Sequence, residues 1–468
     1  MTATTIGEPT SMKPSRFTEA SRPPLVKSVP FVGPVRQFLG DVLPFLMESR
    51  ATYGDAFRLR MFNLEMTCLC GSDAIELLEA GSPLRVSKSM HVLDGELGSC
   101  LPSTFDGPQH KMFRKAHLEF MTASLESKRR DDVQSRLAEH TSEWRAGDRV
   151  DVLHEAQVQT VDVLSVLLNG EPFPFSKKDL SLVVHTLIWA TFGHAPSWVL
   201  RNPVYRSVQK RMRAHFLDLV ARIRTSPERA ATLVGRYLDL EPPIGRDRWE
   251  DHDLVAVPYS AYLAGFDTVA SASSFLLYRL LTHPEHLAKV RREFEELSCE
   301  TPGPVAPTRQ KYLRAAFLEA VRLNPPGTVV IRVADRDFEF TGYTIRQGDE
   351  VLVMIASDHL NPELFERPNE FDPMRYFAPQ SGPLRRRVLP FGTGSHRCTG
   401  AVLGELVAVE MVSYWVNHFD LQVVPTRKTV RPVARPFTQP DGLRVEVLGR
   451  RAGGAECGES RLRPITGN

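Results

Sequence analysis

The longest apolar stretch runs from Asp251 to Leu281 and is closed by His283-Pro284. It reads as one long helix, apolar nearly all round and therefore buried. Pro258 lies inside it, removes a backbone donor and is expected to bend it. A second helix follows from Pro284, with Leu287, Val290, Phe294 and Leu297 as its stripe. Two more are read over Tyr312 to Leu323 and from Ala401 through Leu403, Leu406, Val407 and Met411 to Trp415. Earlier, Phe38 to Tyr53 reads as a helix ended by Gly54, and residues 125–245 are mostly helical by pattern. Within them Trp189, Phe192, Trp198 and Tyr205 are expected in a core. Strand patterns are fewer. Phe57–Met61 and Glu65–Cys70 read as a pair, Thr328–Val333 as a strand, and Phe338–Gly342 with Tyr343–Val353 as a hairpin and strand. Arg435 to Gly442 reads as a hairpin turn, residues 85–107 as loop, and Arg22 to Pro34 as an extended, Pro-punctuated lead-in. The fold class is mostly α with a smaller β region. Residues 23–450 read as a single domain, with tails over 1–22 and 451–468.

Composition narrows the class. The chain has 468 residues, 42% of them hydrophobic, and a net charge of +2. A nearly balanced charge gives no nucleic-acid footprint. No apolar run near 1–22 approaches the ~20 residues of a membrane span, and no signal peptide is seen, so no membrane anchor is expected. The six cysteines show no paired framework, which predicts free thiols and a reducing, cytoplasmic setting. Cys68 and Cys70 are expected to face opposite sides of their strand.

Chemistry concentrates in Phe391-Gly392-Thr393-Gly394-Ser395-His396-Arg397-Cys398-Thr399-Gly400. A thiol at a helix N-terminus meets unpaired N–H groups that favour thiolate. With no second Cys or His pair at ligand spacing it cannot build a tetrahedral zinc site. It can be the single protein ligand of a haem iron, or simply a small buried hydrophobe. In the long helix, Ala264-Gly265-Phe266-Asp267-Thr268 places an acid beside an alcohol. Gly265 would let a flat ligand or dioxygen approach, the Thr268 hydroxyl can bond a carbonyl one turn back, and the pair can pass protons. The plain alternative is a kinked buried helix. Glu319 and Arg322, three apart on a helix, can pair on one face.

The decapeptide resembles the haem-binding loop of the cytochrome P450 family, through Phe391, Gly394, His396, Cys398 and Gly400. The resemblance extends in motif order over residues ~23–450. It implies the family fold, a triangular prism of helices around a buried haem b (iron protoporphyrin IX). Cys398 would be the metal ligand, with Phe391, Gly392, Gly394 and Gly400 cradling the ring. His110 and Arg114, four apart on one helix face, would bind the haem propionates with Arg332 and His396. Asp106 would cap that helix and Pro108 fall in its first turn. Ala264, Gly265, Asp267 and Thr268 would be the oxygen-side residues, Asp267 and Thr268 the proton-delivery pair. Glu319, Arg322 and Arg375 would form a buried structural network. Phe266, Val329, Val330, Ile331 and Phe437 would line the substrate pocket, roofed by residues 85–107.

The opening is similar to the branch holding sterol demethylases and retinoid hydroxylases. Asp267, where sterol demethylases usually carry His, argues against that activity. Gly404 stands where the family usually has Ala. The function implied is a haem-thiolate monooxygenase acting on a bulky lipophilic molecule, terpenoid, steroid or polyketide-like. It would use O2 and electrons from ferredoxin and ferredoxin reductase, as a monomer. Lys111, Lys115 and Arg385-Arg386-Arg387 could form a positive docking face for the donor, or be a solvated charge run. The competing readings are a haem-thiolate isomerase or peroxygenase needing no donor, and a non-catalytic haem or ligand-binding protein. A Cys-nucleophile hydrolase lacks a partnered His.

Overall fold

The helix Ala256–Thr282 is mostly buried and packs against the helices Val152–Asn169, Ala401–His418 and Lys311–Leu323. Its serines do not disturb this setting. Ser273 and Ser274 donate to the carbonyls of Val269 and Ala270 one turn back, at 2.8 and 2.7 Å. The structure, a computed structural model, describes residues 22–451 except 29–32, 63, 80, 99–100, 124–128, 192–195, 243–246, 301–303, 380, 426–429 and 436. The stretches read as tails lie outside the described residues apart from Arg22 and Arg451. Both are anchored: Arg22 pairs with Glu65 and Asp349, Arg451 with Asp420 and Glu295.

Pro258 acts as the sequence reading expects, but gently. Lacking an N–H, it cannot bond the Leu254 carbonyl, and the run divides into Asp251–Leu254 and Ala256–Thr282. Val255 between them keeps helical dihedrals, φ −56° and ψ −35°, so the axis continues. Pro258 thus falls in the first turn of the longer segment, where a backbone donor is not missed.

The main sheet has five strands in the order Ala56–Met61, Leu64–Leu69, Glu350–Val353, Val330–Ala334, Leu84–Val86. Leu64–Leu69 runs antiparallel to the first and parallel to Glu350–Val353. The expected hairpin at Phe338–Phe340 and Tyr343–Ile345 turns on Thr341 and Gly342, at φ 48° and 83°. Two left-handed residues are what a tight two-residue hairpin needs. The helix read over Phe38–Tyr53 is two, Val35–Leu39 and Val42–Tyr53, parted at Gly40. Residues 85–107 are not plain loop: they hold the helix His91–Leu97. Within the turn read over Arg435–Gly442, the Arg435 N–H bonds the Phe437 carbonyl at 2.9 Å, and the return strand Thr438–Asp441 follows.

Three further expectations are corrected. Cys68 and Cys70 do not face apart. Residues two apart along a strand share a face, and their sulfurs lie 4.0 Å from each other beside Met354. Free thiols are found at Cys68, Cys70 and Cys398, but Cys299 is disulfide-bonded. Tyr205 is buried, whereas Trp189 and Trp198 are exposed, because their segments pack by one face only. Phe192 lies outside the described residues. Among the described residues no helix is long and apolar enough to cross a membrane.

Candidate active site

The Cys398 loop is a tight backbone knot in front of the helix Ala401–His418. The Cys398 N–H bonds the Phe391 carbonyl at 2.9 Å and the Arg397 N–H bonds the Gly394 carbonyl at 3.1 Å. Gly394 is obligatory there. Its φ is +72°, and a Cβ would stand 2.0 Å from the Leu78 carbonyl oxygen. Gly400 is different: its φ is −86°, and a Cβ would rest in ordinary contact with Met121 Sδ, 3.8 Å away. Phe391 stacks on Phe317, linking the loop to the helix Lys311–Leu323.

Cys398 is surrounded by protein, yet its side chain is open. Ala264 of the central helix is exposed and Thr268 half-buried within a mostly buried helix. The thiol and this helix face therefore border interior space rather than bulk water. The helix and the loop are close: a Cβ on Gly404 would lie 3.5 Å from Val269 and 4.0 Å from Phe391. Burial pushes the Cys398 thiol up, while the Gly400 N–H and the charges of Arg114 and Arg397 pull it down. Among the described residues no group of three His, Cys, Asp or Glu side chains could hold a bare metal ion.

Basic side chains gather at one edge of the loop. The His110 ring touches the carbonyls of Pro102 and Ser395, each at 2.9 Å, and lies 3.9 Å from the His396 ring. His396 Nε2 is 2.8 Å from Asp106 Oδ1, and the other Asp106 oxygen accepts the Val86 N–H at 3.0 Å. Asp106 therefore serves this cluster rather than capping its helix. Arg114 donates to the Arg397 carbonyl. Arg332 is largely enclosed and reaches only the Ile331 carbonyl, at 2.7 Å. Burial lowers the Arg332 pKa, and Asp106 is the charge that opposes this. Burial also lowers His396 and Arg114. Asp106 itself is held low: its burial is outweighed by His396, the Val86 N–H and Arg85. Two arginines and two histidines thus line this edge, where Asp106 bonds His396. The two propionates of a haem held by Cys398 would find charge-assisted donors there. The residues present fit that cofactor.

The oxygen-side residues are divided. Thr268 Oγ1 donates to the Ala264 carbonyl at 2.6 Å, as its spacing predicts. Gly265 is turned from the interior space: a Cβ there would meet Leu164 Cδ1 at 2.6 Å. Its missing side chain serves close packing on the helix Val152–Asn169, not the approach of dioxygen. Phe266 is fully buried with its ring 6.2 Å from His185, on the outer side, so it does not line the pocket. Asp267 also faces outward, bonded to Gln157 and His185.

Val329, Val330 and Ile331 do not share one face either. Val329 and Ile331 pack with Phe57 and Leu59, and Val330 with Val351 and Val353, because strand side chains alternate. Phe437 is half-buried just ahead of the strand Thr438–Asp441, against the main core.

The Glu319 network is complete. Arg322 binds Glu319 through two bonds of 2.8 Å, and Arg375 and Tyr376 each reach it at 2.9 Å. Arg322 also donates to the carbonyls of His359 and Pro368 at 2.6 and 2.7 Å. The group is buried and fully paired. Sequence reasoning missed His359, Gln157 and His185; no local spacing marks them. Of the basic run, Arg385 bonds the Tyr376 carbonyl and Arg387 pairs with Asp358, and Lys115 stands near Glu119.

Comparison with known proteins follows this geometry. The cytochrome P450 family profile matches residues 23–445. A sterol 14alpha-demethylase of Mycolicibacterium vanbaalenii is 32% identical over 38% of this chain and 40% of its own length. A cyclooctat-9-en-7-ol 5-monooxygenase of Streptomyces melanosporofaciens is 30% identical over 48% of this chain and 49% of its own. These matches thus span less than half of either relative. Cytochrome P450 26A1 of Danio rerio is 25% identical over 88% of both chains. The structure of a retinoic acid bound cyanobacterial CYP120A1 shares the fold, with a TM-score of 0.77 over 91% of this chain and 98% of that one, at 21% identity. The chain belongs to the cytochrome P450 family.

Proposed function

We propose that this chain is a haem-thiolate monooxygenase that oxidises a bulky lipophilic molecule with O2 and two electrons from a separate donor protein. The observation that carries the reading is the open thiol of Cys398 just ahead of a helix packed on the central helix of Ala264 and Thr268, with two arginines and two histidines at the edge of its loop. Haem b bound there supplies the oxygen-activating redox chemistry. The chain's own residues do the rest. Cys398 ligates the iron, its sulfur steadied by the Gly400 N–H. His110, Arg114, Arg332 and His396 bind the propionates. Thr268 holds a proton at Oγ1 beside the reacting face, with Asp267 next to it in the chain. Glu319, Arg322 and Arg375 fix the segment ahead of the loop. Residues 23–450 act as one domain between two tails.

Relatives named for a sterol, a cyclooctatenol and retinoic acid support a substrate of terpenoid, steroid or polyketide type. The electron donor is ferredoxin with its reductase, in the cytoplasm, and the protein acts as a monomer. Val402, four residues after Cys398, is exposed, and the helix Ser381–Arg387 ends in three arginines, which suits an acidic donor. The acid–alcohol pair favours this reading over a donor-independent isomerase or peroxygenase.

The deciding measurement is the carbon monoxide difference spectrum of the reduced protein, followed by titration with lipophilic ligands and turnover with ferredoxin. A red-shifted thiolate band and donor-dependent product formation support the reading. A histidine-type band, or product formed with no donor, overturns it.

A further inference from the structure

Both oxygens of the Asp267 carboxylate, which is 1% exposed, are engaged from the outer side of the central helix. Gln157 donates its Nε2–H to Oδ1 at 2.7 Å. His185 Nε2 lies 2.9 Å from Oδ2. The two partners differ in kind. A carboxamide donates a hydrogen bond and keeps its proton, whereas an imidazole releases a proton at one nitrogen and takes one up again.

His185 also reaches outward. It belongs to the helix Lys177–Thr191, and its side chain is 35% exposed. It lines an outward-opening cleft of about 450 Å³ with Ser181, Leu182, Thr186, Trp189 and Val199. Ser181 Oγ stands 3.2 Å from its Nδ1. One ring therefore bridges a wall, with an outer cleft and hydroxyl on one nitrogen and a buried carboxylate on the other. The charged neighbours are few. Lys177, at the start of the same helix, feels Asp267, Asp151 and Glu155 and lies 2.7 Å from His154 Nδ1. Phe266 covers the ring from the central helix.

We propose that His185 is the proton donor to Asp267, carrying protons from the outer cleft to the reacting face. The proposal rests on the monooxygenase reading and names the route by which its protons arrive. The ring enters the step protonated on both nitrogens. The Nε2–H bond breaks, an O–H bond forms at Asp267 Oδ2, and the ring's positive charge and the carboxylate's negative charge cancel. Asp267 then turns inward and passes that proton on beside Thr268. Water in the cleft reprotonates the ring. Each passage moves one proton, two passages supply the two protons that a turnover consumes, and the relay itself oxidises and reduces nothing.

The test uses the holoenzyme with a surrogate ferredoxin pair and a lipophilic ligand that shifts its spectrum. His185→Gln keeps a hydrogen bond to Asp267 but cannot carry a proton. Its donor-driven turnover is expected to fall about tenfold or more, with a larger solvent deuterium isotope effect. A second readout needs no turnover. In the diamagnetic ferrous carbon monoxide form, the Nε2 resonance of His185 followed by nitrogen NMR should move in Asp267→Asn, because its hydrogen-bond partner changes. The proposal is overturned by wild-type turnover and isotope effect in His185→Gln. It is equally overturned by slowed turnover with an unchanged isotope effect, or by an unmoved His185 Nε2 resonance in Asp267→Asn. A wild-type protein without the thiolate band would instead sink the monooxygenase reading itself.

Discussion

The Leu389 N–H donates to Nε2 of His359 at 3.0 Å, while Nδ1 of the same ring lies 3.2 Å from the Arg322 carbonyl. One buried imidazole thus joins the Glu319 network to the strand of chain leading into the Cys398 loop. Accepting at Nε2 and donating at Nδ1 requires a neutral ring. Burial, reinforced by the Arg322 charge, pushes its pKa down to about 3. Burial likewise lowers His117, beside Tyr237, to about 4.

Acid lability follows. In the unfolded chain each histidine titrates near ~6.5, so below that pH the unfolded state takes up protons that the folded state refuses. Stability is full above pH ~6.5 and falls by about 1.4 kcal/mol per pH unit per histidine as pH drops toward the folded values. His359→Gln should lose one such increment from the slope. Denaturant midpoints measured across that range check this, and an unchanged slope would mean that His359 is not neutral in the fold.

Glu319 is the shared acceptor of Arg322, Arg375 and Tyr376. Glu319→Ala leaves two buried guanidinium groups uncompensated, a loss of about 3–5 kcal/mol. The expected result is little folded protein and no haem uptake, read by expression yield and absorbance. Normal loading would show the network to be dispensable.

Two glycines flanking Cys398 should respond in opposite senses. Gly394→Ala meets the Leu78 carbonyl and a left-handed φ, so the thiolate band should weaken or vanish. Gly404→Ala meets only ordinary contacts inside a helix and should stabilise by about 0.5–1 kcal/mol with the band unchanged. Melting temperatures and difference spectra of the two variants separate these outcomes.

Thr268→Ala removes the hydroxyl that now donates to Ala264. The thiolate band should persist while NADPH consumption yields more hydrogen peroxide per product. Thr268→Ser should restore much of the coupling. Equal coupling in all three proteins would remove Thr268 from proton delivery.

The sequence by itself determined whatever depends on local spacing. Cys398 and its glycines form one backbone knot, Arg322 reaches back one turn to Glu319, and Thr268 reaches back one turn to Ala264, because helix and turn geometry fix such neighbours. Orientation was another matter. A helix apolar all round carries no stripe to say which side faces the interior space. Only the packing of Leu164 against Gly265 showed that Gly265, Phe266 and Asp267 turn outward. Partners distant in the chain were equally silent. His185 meets Asp267 across 82 positions and His359 meets Leu389 across 30, and these pairs exist only once tertiary packing has brought their elements together.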